Sequence, residues 1–552
     1  MEGKTMRTKR VLSMVMSVLL LLSLLAGCGI SDKNTDGQQE TTTAASTQKS
    51  QETTAQQAAG KPDVLEITKV SYFGDATDTP ELKQEWTEAM EREFGIKFKV
   101  NYPPRNNYME KVNLMITSGE LKGLVYLFSP DDMMKAINDG AIEPLDDYLK
   151  DNPVWNSLPD TMRELYQVKG QTWAIPNGLS GAFFTRSIRT DWLDNLGMKV
   201  PETVDELYEV AKAFTLNDPD KNGKNDTIGL TSSGTWNLQD IFQAFDARLN
   251  HIGENSITWD PGANAFIDTM LKPEMAEALQ YLNNLYKNGF LDKELFTNKG
   301  SNMREKMMSG LYGSTFYWQH YSVDSFEPAV IKVVPTAKFE EITALKGKLT
   351  RNINQVTYGN APYVLIKGTK QAKEVVNEFI NIFFGNEKGH FMGRYGIPGK
   401  TFDLKDKTIT FLVDKDGNGY THPDIIVELP SVFSVESMPM QYKTMSVIAT
   451  PEQQAVLESN LKRKAEGMKN GLESGLLFQL GTKYTTPVSD TFATISPDVK
   501  RLFDEAVVKA VTGELTPEQA VKNYREQMKN IGAQQILDEC NQNLGATTDM
   551  KY

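Results

Sequence analysis

The stretch VLEITKVSYFGDATDTPELKQEWTEAMEREFGIKFKVNY (64–102) decides the fold class. Leu65 and Ile67 alternate with polar neighbours and lead into Val70-Ser71-Tyr72-Phe73, the pattern of a first strand. Thr79-Pro80 opens a helix, because a proline at the first helical position gives up no hydrogen bond. Leu82, Trp86, Ala89 and Met90 then fall on one helical face, and Gly95 closes the helix. Ile96, Phe98, Val100 and Tyr102 alternate as a second strand, and Leu124 to Phe128 gives a short buried third. Strand, helix, strand in this order predicts α/β architecture with parallel strands.

Downstream the pattern turns helical. Val499, Leu502, Phe503, Ala506 and Val507 form one apolar stripe, and Ala520, Val521, Tyr524 and Met528 another, the second opened by a capping box at Thr516 and Gln519. Cys540 lies with Ile536, Leu537 and Leu544 on the apolar face of the last helix and reads as a buried, inert thiol. No internal repeat is visible.

Upstream, the first 27 residues read as an address. Lys4, Arg7, Lys9 and Arg10 form a basic region, and Val11 to Leu25 is an uncharged apolar run, shorter than the roughly 20 residues a membrane span needs. Leu25-Ala26-Gly27-Cys28 follows, a lipobox in which cleavage leaves Cys28 as an acylated N-terminus. A plain secretory peptide and a true span are the alternatives. Residues 28–63 hold almost nothing apolar and no aromatic, so they cannot bury enough surface to fold and are expected to be a flexible tether. Removing 1–27 takes away four positive charges and Glu2, which moves the formal charge from −13 to −16.

The 552 residues exceed what one core organises, so two or more lobes are expected. Two cysteines exclude a disulfide scaffold, and 72 acidic against 59 basic residues leave no footprint for nucleic acid. His251, His320, His390 and His422 are scattered, with no HExxH and no CxxC. Neither a G-x-S-x-G elbow nor a phosphate-binding glycine loop is present. Metalloenzyme, serine hydrolase and nucleotide-dependent readings are therefore poorly supported.

The sharpest chemical signal is DPDKNGKNDTIG (218–229). On an EF-hand template Asp218, Asp220 and Asn222 take positions 1, 3 and 5, Gly223 the turn at 6, Lys224 the backbone carbonyl at 7 and Asp226 position 9. Position 12, where a bidentate Glu is needed, is Gly229, so this is not a sensor EF-hand. The loop follows a helix opened by the capping box Thr203/Glu206, with Leu207, Val210, Ala211 and Phe214 facing the core. A calcium ion there would staple a helix end to the next strand; the alternative is an Asx-rich turn without metal. A second stretch, DKDGNG (414–419), has His422 and Ile425 where ligands are needed and reads as a hairpin turn between 408–413 and 425–429.

Several segments together resemble the family 1 extracellular solute-binding lipoproteins of carbohydrate ABC importers, including the branch similar to alginate-oligosaccharide-binding proteins. The most specific is RTDWLDNLGMKVPETVDELYEVAKAFTLNDPDKNGKNDTIGL (189–230); NYMEKVNLMITSGEL (107–121), GAIEPLDDYLKDNP (140–153), QTWAIPNG (171–178) and GHFMGRYGIPGK (389–400) extend it. The resemblance implies a two-lobed, periplasmic-binding-protein-like α/β fold with hinge-linked lobes and a helical C-terminal part. The lobes would comprise 64–185 with 318–375, and 186–317 with 376–552. It implies structural calcium on Asp218, Asp220, Asn222, Lys224 (carbonyl), Asp226 and Thr227, although the family usually has an acidic residue where Thr227 stands. Where the family tends to read SG-x-x-PD, this chain has SGELKG.

The implied function is a monomeric receptor, lipid-anchored on the extracellular face, that captures an oligosaccharide and delivers it to an ABC permease. Such a cleft needs aromatic faces to stack on a pyranose and planar polar groups to grip hydroxyls. Phe316-Tyr317-Trp318-Gln319-His320-Tyr321 is the densest aromatic run, so Trp318 and Tyr317 are the first candidates. Trp236 follows, then Tyr72, Phe73 and Asp75, with Arg105, Tyr108 and Arg189 as polar candidates; Trp86 and Trp192, on helix faces, read as core. The competing class is a surface-anchored polysaccharide hydrolase, which needs two carboxylates about 5 to 10 Å apart, but no segment resembles a glycosidase.

Overall fold

The computed structural model describes residues 60–69, 80–104, 107–128, 130–158, 160–176, 184–250, 253–348, 362–413 and 487–552, with short pieces between 354 and 479. The expectations on Cys28, Tyr72, Phe73, Asp75, Arg105 and the 414–418 loop lie outside the described residues.

The opening unit forms as its pattern predicts. Val64–Thr68 pairs in parallel with both Lys97–Asn101 and Leu124–Tyr126. The helix Pro80–Phe94 ends at Gly95, whose φ of +65° is the left-handed conformation that glycine tolerates. Its Trp86 is fully buried, packs edge-on against Phe98 and donates its indole N–H to the Met392 carbonyl at 2.8 Å. Pro362–Leu365 and Ala174–Pro176 complete a five-stranded sheet, the last two pairings antiparallel. Around it one continuous core joins Leu65, Ile67, Val125 and Tyr363 to Phe379, Phe383 and Met392.

A second sheet has the order Phe339–Ile342, Phe184–Arg189, Tyr312–Trp318, Ile228–Leu230. The helix Val204–Leu216 crosses it closely because Gly313 has no side chain: a Cβ there would lie 2.2 Å from the Phe214 ring. A second core gathers Leu279, Leu282 and Leu285 of the helix Pro273–Lys287 with Leu502, Phe503 and Val507 of the helix Asp490–Thr512. The capping boxes at Thr203/Glu206 and Thr516/Gln519 both form, and Cys540 is buried. The architecture is thus two-lobed α/β with a helical C-terminal part. Among the described residues no helix is long and apolar enough to cross a membrane.

Core membership divides the chain differently from the expected boundaries. Residues 318–348 go with the second lobe, because Phe326, Val330 and Phe339 pack under Tyr317 and the strand Phe339–Ile342 pairs with Phe184–Arg189. Residues 372–392 go with the first, because Val375, Phe379 and Phe383 line its core. Asn354–Val356 pairs in parallel with Leu477–Gln479 as a separate two-stranded ladder. The strand Thr408–Phe411 forms a hairpin with Phe402–Lys405, through Asp406 and Lys407, both at positive φ. That tight turn lacks the Gly or Asn that usually signals one.

Candidate ligand-binding site

Ile228–Leu230 and Tyr312–Trp318 run parallel, so their carboxyl ends open on the same edge of the second sheet. In open α/β sheets that edge is where a crevice for a ligand forms. One strand delivers Thr231 to Trp236 there and the other delivers Trp318 to Tyr321. Phe184, the Cα partner of Trp318, adds the start of the neighbouring antiparallel strand. The result is an aromatic cluster. Trp318 stacks on Phe184 at 4.0 Å between ring centroids, and Trp236 stands edge-on to Phe184 at 6.2 Å and to Tyr317 at 5.3 Å. Tyr317 is 3% exposed, whereas Trp318, Trp236 and Tyr321 are half-buried and so combine an anchored ring with a face or edge toward solvent.

The backbone that carries Trp236 is fixed from several sides. The Asn237 amide donates to the Phe316 carbonyl at 2.9 Å and its oxygen accepts from the Ser233 N–H and hydroxyl. The Thr235 hydroxyl donates to the Gly253 carbonyl, and the Thr231 hydroxyl to Asp292 at 2.8 Å. Trp236 Nε1 is buried and has no hydrogen-bond partner among the described residues, an uncommon state for an indole N–H. Beneath the cluster Arg186 makes two bonds to Asp240, at 2.6 and 2.7 Å, and both side chains are sealed from solvent.

Of the residues singled out from sequence, Trp318, Tyr317 and Trp236 are brought together. Tyr108 is not among them: it is 1% exposed in the first lobe's core, packs on Phe128 and donates its hydroxyl to the Tyr126 carbonyl. Arg189 is fully buried, bonded twice to Asp191 and once to the Gly310 carbonyl, over the Trp192 ring. Their polar groups serve the fold. Trp86 and Trp192 are core, as expected. Phe184 and Arg186 carry no readable signal in the sequence, because a strand of sequence FTRSIR that is buried at every position shows no alternation.

In the 218–226 loop the Asn222 side chain sits between carboxylates, its amide 2.8 Å from Asp220 and 3.2 Å from Asp226, while Asp218 accepts from the Asn222 and Gly223 N–H groups. Burial, a hydrogen bond with Asp218 and the charges of Asp226 and Asp218 push the Asp220 carboxyl above the ordinary carboxylate range. The Thr227 hydroxyl is turned inward onto the Phe214 carbonyl at 2.7 Å. Among the described residues no three His, Cys, Asp or Glu side chains close on a common point, so the carboxylates ring Asn222 and not one another. A separate open groove of about 470 Å³ is lined by Glu294, Asn298, Asn302, Lys306 and Tyr312, the last at the amino end of the Tyr312–Trp318 strand.

A model of the bacterial extracellular solute-binding protein family matches residues 73–389, more than half of the chain. The polygalacturonan/rhamnogalacturonan-binding protein YtcQ of Bacillus subtilis is 25% identical over 547 residues, covering 96% of this chain and 97% of YtcQ. Among solved structures, a human-milk-oligosaccharide-binding solute-binding protein of Bifidobacterium longum infantis superposes with a TM-score of 0.66 at 16% identity, over 88% of this chain and 98% of that one. The alginate-binding protein AlgQ2, solved without calcium ion, gives 0.62 at 19% identity, over the same shares.

Proposed function

The chain belongs to the bacterial extracellular solute-binding protein family, and from that premise we propose that it is the oligosaccharide receptor of an ABC importer, held at the extracellular face through acylated Cys28. The observation that carries the reading is the aromatic cluster of Phe184, Trp236 and Trp318 at the carboxyl edge of a parallel strand pair. Stacking on a sugar ring uses the indole face of Trp318 that Phe184 does not cover. Tyr72, Phe73, Asp75 and Arg105 stay candidate ligand contacts in this reading.

Closure of one lobe on the other around the ligand is what lets a permease distinguish the loaded receptor from the empty one. The protein then performs no chemistry on its ligand, and the partners are a glycan and membrane permease subunits. Calorimetric titration with a panel of oligosaccharides, run beside an assay for sugar release, tests this. Saturable binding with no release supports it, and release without saturable binding makes the protein a hydrolase.

The 218–226 loop fits a calcium ion by the chemistry of its donors. Asp218, Asp220 and Asp226 surround the Asn222 side chain, whose amide N–H groups face Asp220 and Asp226 while its oxygen accepts from the Lys224 N–H, and the Asp220 carboxyl is pushed up first by burial and then by its hydrogen bond with Asp218 and the neighbouring charges. Asp218, Asp220, Asn222, Asp226 and the Lys224 carbonyl are the residues that would hold it; Thr227 is engaged elsewhere. The ion would supply structure only, tying the end of the Val204–Leu216 helix to the following strand.

A further inference from the structure

We propose that the captured glycan is anionic, carrying uronic-acid carboxylates, and that Arg304 receives one of them. This rests on the receptor reading above and names the chemical class of its ligand.

Arg304 lies on the helix Gly300–Met308, which buries Met303 and Met307 and leaves Arg304 half-buried beside the aromatic cluster. Its Nη1 donates to the Tyr317 hydroxyl at 3.2 Å, and its guanidinium carbon stands 5.5 Å from the Tyr321 ring centroid. Gly300 backs the same place: a Cβ there would lie 3.5 Å from Arg304 Nη1 and 3.9 Å from the Trp236 ring. The cation therefore borders the rings that stack on the sugar.

Arg304 is half-buried and holds no carboxylate among the described residues. Arg186 and Arg189 of the same lobe each hold an aspartate with two bonds. Arg463 holds Glu327 and Glu341. Arg304 has no acidic side chain within ion-pair distance among the described residues, and its one hydrogen bond, to a phenol, leaves four of its five N–H donors for others. A half-desolvated guanidinium without a counter-ion is unfavourable, and a ligand carboxylate completes it with a two-bond, charge-assisted contact. The bulk charge of the chain, −13 before processing, repels an anion. A preference for acidic sugar thus requires a local cation of this kind.

The test is calorimetric titration of the mature chain at low and high salt. The ligands are oligogalacturonates and oligoalginates of three to five units, each compared with the same oligomers carboxyl-reduced to neutral sugars. The wild type should bind one acidic series about 10- to 100-fold more tightly than its reduced counterpart, the range that one or two charge-assisted bonds provide. Salt should narrow that gap. Arg304→Gln should abolish the preference, and Arg304→Lys should retain part of it. Equal affinity for acidic and reduced oligomers, or an undiminished preference in Arg304→Gln, overturns the proposal. Binding of neutral oligosaccharides alone overturns it and leaves the receptor reading standing, whereas binding of no oligosaccharide removes both. Should Arg304→Gln fail to fold, the wild-type comparison and Arg304→Lys still decide.

Discussion

Phe184 and Trp318 are direct cross-strand partners whose rings stack 4.0 Å apart at 27°, so the indole expected to carry the ligand is itself carried by a buried phenylalanine. The support is rigid because it is the sheet. Trp318→Ala should weaken glycan binding by about 2 to 4 kcal/mol, as for a central aromatic anchor. Its stability cost should stay below the roughly 3 to 5 kcal/mol of an emptied core tryptophan site, for which fully buried Trp86→Ala is the control. Titration calorimetry and thermal melts read both. A large stability loss with unchanged affinity moves the platform to Trp236.

Calcium that binds only the folded chain stabilises it by mass action, by about 2.7 kcal/mol at one hundred times its Kd. A chelator should therefore lower the Tm without abolishing glycan binding, and Asp218→Ala with Asp220→Ala should erase that response. A double mutant that still responds places the ion elsewhere.

The metal-free loop should also respond to pH. The folded Asp220 carboxyl titrates above its unfolded value, so the native state holds more protons in that window. Stability then falls as pH rises from the ordinary carboxylate range through the raised folded value, the reverse of a salt-bridged aspartate. Calcium should flatten this slope. A metal-free protein whose Tm climbs through the window, with Asp220→Asn showing the same climb, contradicts the argument.

Asp240→Ala strands the Arg186 guanidinium in a fully buried site. Removing one partner of such a pair costs about 3 to 5 kcal/mol. Denaturant unfolding should show that loss, and Arg186→Met with Asp240→Leu should recover much of it. A single mutant within about 1 kcal/mol of wild type would mean that water reaches the guanidinium.

Cys28→Ser should leave the precursor uncleaved or the protein released to the medium, with its thermal melt unchanged. Membrane fractionation decides, and undiminished retention of the mutant at the membrane removes Cys28 as the anchor.

Local signals carried the opening unit: period-three and period-four apolar spacing, Pro80 at a helix start and Gly95 at its end are written within a few residues. The capping boxes at Thr203 and Thr516 are legible for the same reason. The assignment of 318–348 and 372–392 to lobes was not legible, because it depends on pairing between Phe339–Ile342 and Phe184–Arg189 and on packing of Phe379 beneath Tyr363, contacts far apart along the chain. In the site, an aromatic run announced Tyr317 and Trp318. Tyr108 and Arg189 looked equally available in sequence, yet burial turned their polar groups to the Tyr126 carbonyl and Asp191. Arg304 carries no local signal at all, since an unpaired arginine is defined by what is absent around it in space.

The two cores interleave along the chain, and this has a consequence for the order of folding. The first core needs Val375 to Met392, which follow the whole insertion 184–348, and the second needs Phe503 to Leu537 near the far end. A chain emerging amino end first therefore cannot close either core early. Long loops must be closed before their contacts return any stabilisation, so folding is slow and late. Both cores of such a chain are expected to close only once almost all of it has been made.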